Sequence, residues 1–95
     1  MPKYVIERTL PGAGSFTPSR LHDISCTSNE VLADMAPRAQ WMHSYVTDDK
    51  IYCVYVAENA DTVREHATRG GFPVDSVATV RAVIDPTTGE PARDS

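Results

Sequence analysis

Three things are scarce in this chain of 95 residues: basic clusters, cysteines and long apolar runs. Lys and Arg gather nowhere, and 9 basic against 13 acidic side chains leave a net charge of −4. Nucleic-acid binding rests on neutralising phosphates with a basic face, so this balance excludes DNA and RNA as expected partners. Cys26 and Cys53 are the only cysteines. Two thiols are too few for a disulfide-dense secreted scaffold, and without a Cys-x-x-Cys pair there is no dithiol redox motif. The opening stretch, MPKYVIERTL, carries charge within a few positions, and no apolar run reaches the length of a signal core or a membrane span. The expectation is a cytoplasmic protein with reduced thiols and no membrane contact. Zinc-finger spacings, GxSxG, a Walker loop and a dinucleotide fingerprint are missing too, so no motif names a reaction.

What the chain does have is a concentrated β signal. In Trp41 to Ala57, WMHSYVTDDKIYCVYVA, two runs rich in Val, Ile and Tyr flank the polar Thr47-Asp48-Asp49-Lys50, which predicts a β-hairpin. The even turn sets Ser44 opposite Cys53 and His43 opposite Val54, which places His43 and Cys53 on opposite faces. The second run carries Ile51, Cys53 and Tyr55 on one side and Tyr52, Val54 and Val56 on the other, so both faces call for cover. Around the hairpin, Lys3 to Thr9 alternates as a strand. Thr17-Pro18 caps a first helix that carries Leu21, Ile24, Ser28, Val31, Leu32 and Met35 at helical spacing and ends near Pro37. Asn59 caps a second helix with Ala60, Val63 and Ala67 inward and Gly70-Gly71 as its stop. Val77 to Ile84 reads as a last strand, and the polar segment 85–95 as a disordered tail after a single domain spanning 1–84.

The order β, α, β, β, α, β is the split βαβ arrangement: an α+β, ferredoxin-like fold with a four-stranded antiparallel sheet and two helices on one face. Two helices cover one face of such a sheet. The apolar set on the other side of the third strand then predicts a homodimer packed through the sheet.

Taken together, Trp41-x-His43-Ser44-Tyr45-Val46, Asp49-Lys50, Cys53-x-Tyr55, Arg64-Glu65-His66-Ala67 and Gly71-x-Pro73 resemble a family of small bacterial nickel-binding proteins over roughly residues 3 to 84. The resemblance implies a dimeric ferredoxin-like fold, Ni²⁺ bound at the dimer surface, and a role in nickel sequestration or detoxification. It does not say which positions are ligands.

Nickel and its neighbours favour imidazole nitrogen, with thiolate and carboxylate as partners, so the candidate donors are His22, Cys26, His43, Cys53 and His66. Each has an ordinary reading beside the metal one. His43 in a strand is also a hydrogen-bonded, half-buried histidine, and Cys53 a small buried hydrophobe. His66 sits at the edge of the second helix's buried stripe and leans either inward or to solvent. His22 and Cys26, four residues apart, project from one side of the first helix with Glu30 continuing the row; they either chelate or merely pack and face water. Arg64 and Glu65 read as a solvated face. From another class comes an enzyme whose pocket between helices and sheet gathers His43, Tyr45, Cys53 and His66.

Overall fold

The computed structural model describes residues 1–91. Alternation and capping produce β1 (Lys3–Thr9), α1 (Pro18–Met35), β2 (Ala39–Val46), β3 (Lys50–Ala57), α2 (Ala60–Gly70) and β4 (Ser76–Thr79). The strands form one antiparallel sheet in the order β2-β3-β1-β4, the ferredoxin-like topology. The expected caps are in place. Thr17 Oγ1 accepts the Arg20 N–H at 3.2 Å, and Asn59 Oδ1 accepts the Thr62 N–H at 2.8 Å, each filling an otherwise orphaned helix donor. Gly71 closes α2 in the left-handed region at φ 72°, a conformation that costs a side-chain-bearing residue.

The two helices cover one sheet face, and the core lies between them and β1 and β3. Tyr4, Ile6, Tyr55 and Val63 are buried there, each side chain of this size contributing about 1.5–3 kcal/mol over an exposed position. The loop after β1 is clasped to the hairpin turn. Leu10 N–H donates to Asp49 O at 2.8 Å and Gly14 N–H to Asp48 O at 3.0 Å; a Cβ on Gly14 would stand 2.9 Å from the Asp48 Cα, so the approach requires glycine there.

One expectation needs correction. The last strand ends at Thr79, well short of Ile84, because its partner runs out. Val80 N–H still reaches Lys3 O at 2.8 Å, but Pro2 has no N–H and its carbonyl already accepts from Ala57 N–H at 3.1 Å. The hairpin also carries a bulge between Trp41 and His43, which returns Trp41 to the face of Ser44 and lets the indole N–H donate to Ser44 Oγ at 2.9 Å. From Arg81 to Pro91 every residue is exposed. Pro86–Gly89 make one 3-10 turn capped by Asp85, and the rest of the tail expected to be disordered, 92–95, lies outside the described residues.

Candidate functional site

The hairpin parity follows the even turn. Thr47 N–H donates to Lys50 O at 2.9 Å, Ser44 stands opposite Cys53, and His43 opposite Val54. His43 and Cys53 therefore lie on opposite faces of the sheet and share no site within one chain. His43 is on the face without helices, exposed, its ring edge-on to Tyr45 at 5.0 Å between centroids. Around it the open face presents Val5, Tyr52, Val54 and Val56, all half-buried, and Tyr45, which is 60 % exposed.

Cys53 and His66 point the other way, into the protein. Cys53 is buried and accepts a hydrogen bond from Arg8 Nε at 3.3 Å. His66 is fully buried on α2, with Nε2 3.2 Å from the Ser28 hydroxyl of α1 and its ring against Tyr55 and Phe72. Burial, aided by the positive Arg8, lowers its pKa below the ordinary imidazole value, against an opposing interaction with the Ser28 backbone, which favours the protonated ring. The ring is thus neutral and inward, which resolves the choice between its two orientations.

His22 and Cys26 do meet. Both are exposed on α1, and Cys26 Sγ lies 3.4 Å from His22 Nε2. Glu30 does not join them: among the described residues no three His, Cys, Asp or Glu side chains come together. Arg64 faces solvent, whereas Glu65 is drawn into an ion-pair network. Arg38 grips it with two hydrogen bonds of 2.9 Å and Arg69 adds a third contact at 2.6 Å. The Arg38 hydrogen bonds are the main reason its carboxyl falls to about 2.

Between α1 and the sheet lies a cavity of about 170 Å³. Its walls are mostly apolar, among them Leu21, Ile24, Trp41 and Ile51, and its polar lining includes Arg8, Ser28 and Tyr55. Burial raises the Tyr55 phenol above its ordinary value, and Cys53 adds to the rise while Arg8 and Ser28 oppose it. Of the four side chains that an enzyme pocket was expected to gather, only Cys53 lines this cavity. Arg8 escaped sequence reasoning. It belongs to one alternating set with Tyr4 and Ile6, whereas the other set has Glu7, so charge alone did not say which set goes inside.

The sequence profile of the family described as "Nickel responsive protein SCO4226-like" matches residues 4–80. The chain belongs to this SCO4226-like family. A crystal structure of SCO4226 from Streptomyces coelicolor A3(2) superposes with a TM-score of 0.73 at 18 % identity, covering 86 % of this chain and 99 % of that one. At that identity the likeness shows the shared fold alone. No protein of curated function matches the sequence. All five candidate donors, from His22 to His66, fall inside the span matched by the SCO4226-like profile, while the exposed Val83 and Ile84 fall outside it. Among the described residues no helix is long and apolar enough to cross a membrane.

Proposed function

We propose that this protein binds divalent nickel through its solvent-facing donors, as a homodimer, and holds the ion in sequestration. The observation that carries the reading is the His22–Cys26 pair, exposed on α1 with nitrogen and sulfur 3.4 Å apart in a member of a nickel-responsive family. Donors roughly 2.1 and 2.3 Å from one ion, in neighbouring coordination positions, stand about 3.0–3.6 Å apart, so the pair fits a two-donor chelate. Imidazole and thiolate also suit nickel's ligand preferences. The remaining positions fall to water or to a second copy of the chain.

Cys53 and His66 contribute less to this reading because each is already held inside the protein. Using either as a ligand would mean opening the core. The homodimer is supported by the open sheet face, where Val5, Tyr52 and Val54 lack the cover that their equivalents on the helix side receive. Two-fold pairing through that face would bring two copies of each residue, His43 included, into one interface. His43 would then reach a metal only across that interface.

Calorimetric titration of tag-free protein with Ni²⁺ tests the reading. An imidazole coordinates only in its neutral form and titrates near 6.5 in model peptides, so binding at pH 7.5 should weaken strongly at pH 5.5. Absence of heat at pH 7.5 would discard it.

A further inference from the structure

The cavity under α1 contains a charge with no counter-charge. Arg8 is 3 % exposed, yet among the described residues no carboxylate pairs with it. Its Nε donates to Cys53 Sγ at 3.3 Å, one terminal nitrogen donates to the Pro73 carbonyl at 2.7 Å, and the guanidinium carbon lies 5.5 Å from the centre of the Phe72 ring. The other terminal nitrogen, Nη2, is buried without any hydrogen-bond partner. A guanidinium does not escape this situation by losing its proton, since arginine stays charged in proteins. Buried ions are ordinarily paired, and an unpaired one is costly to maintain.

We propose that the cavity is a binding site for a small organic carboxylate with an apolar or aromatic body. The carboxylate supplies the missing charge beside the guanidinium, and a turn of the Arg8 head toward it gives Nη2 its acceptor, in a charge-assisted hydrogen bond of the kind guanidinium favours. The body of the ligand rests against Leu21, Ile24 and Trp41. At about 170 Å³ the space is comparable to apolar cavities of roughly 150 Å³ that admit benzene. Val46, which also lines the cavity, is 42 % exposed, so the site reaches the surface. The site lies on the covered side of the sheet, away from His43, and includes neither His22 nor Cys26. Its occupancy is therefore independent of the nickel reading.

The test is titration of the ¹⁵N-labelled full chain with benzoate, phenylacetate and hexanoate in turn, followed by amide shifts. Benzamide serves as the neutral match, and acetate and inorganic phosphate as anions lacking the apolar body. At least one of the three carboxylates is expected to saturate at millimolar concentration or below, with shifts centred on β1, β3 and the facing side of α1. Benzamide, acetate and phosphate should each bind at least tenfold more weakly. Arg8→Met should weaken the carboxylate at least tenfold while retaining dispersed amide signals. Ile24→Trp, which fills the space and leaves Arg8 in place, should do the same and keeps the test informative if the Arg8 variant fails to fold. The proposal is overturned if none of the three saturates, if benzamide binds as well as benzoate, if acetate or phosphate binds as tightly as the best of the three (an adventitious anion only), or if the shifts centre elsewhere.

Discussion

The two faces of β3 treat similar side chains in opposite ways. On the helix side, Ile51, Cys53 and Tyr55 are buried, and the donors near them are enclosed: Cys53 is bonded to Arg8, and His66 meets Ser28 through Nε2 while its Nδ1 is buried without a partner between two aromatic rings. On the other side, Tyr52, Val54 and Val56 remain half-exposed beside an exposed His43. A soft donor on β2 or β3 is therefore committed or exposed according to the sheet face it occupies, and parity within the hairpin decides the face. What the open side lacks in cover, a second copy of the chain would provide.

The largest expected effect comes from the closed side. Ile6 is fully buried between the sheet and the helices, so Ile6→Ala should cost about 2–5 kcal/mol in urea denaturation, compared with wild type at one protein concentration. A loss below about 1 kcal/mol would mean that the core is not where the packing indicates. On the open side the equivalent test acts on assembly. If a homodimer covers the sheet, Val54→Asp should convert a species near twice 10.4 kDa into one near the chain mass in sedimentation at micromolar concentration, with the circular dichroism unchanged. A wild-type monomer would remove the dimer, and with it the explanation offered for the open face.

How much of this contrast could be read in the chain depends on the kind of signal. The hairpin was legible because an even polar turn fixes parity, and it put His43 opposite Val54. The helices were legible through Thr17, Asn59 and the Gly70-Gly71 stop of α2, whose chemistry is local. What escaped depends on partners far along the chain. Val80 to Ile84 have the composition of a strand, but a strand needs a neighbour, and β1 offers none beyond Lys3. The bulge at Trp41 and His43 carries no glycine to mark it. Arg8 goes inside because Cys53 and the Pro73 carbonyl wait there, 45 and 65 residues away. His66 turns inward because Ser28 on the other helix meets it, which periodicity within α2 alone did not decide.

A smaller effect sharpens the same comparison through pH. His66 has its pKa lowered on folding, so the unfolded chain binds a proton more readily. Stability is then full above the ordinary imidazole value near 6.5 and falls as the pH drops through it, levelling once the folded ring also protonates. The urea midpoint should be lower at pH 5.5 than at 7.5, and His66→Gln should shrink that difference whatever it does to stability at neutral pH. An unchanged difference in the variant would show that His66 is not the buried neutral ring described.

The division between committed and available donors is tested most directly by adding Ni²⁺ in substoichiometric steps to ¹⁵N-labelled protein at pH 7.5 and mapping which amide signals broaden or shift first. Changes centred on the His22–Cys26 turn of α1, lost in a His22→Ala, Cys26→Ser variant and retained in His66→Gln, are the expected result. Changes centred on Cys53 and His66, and insensitive to the loss of His22 and Cys26, would contradict it.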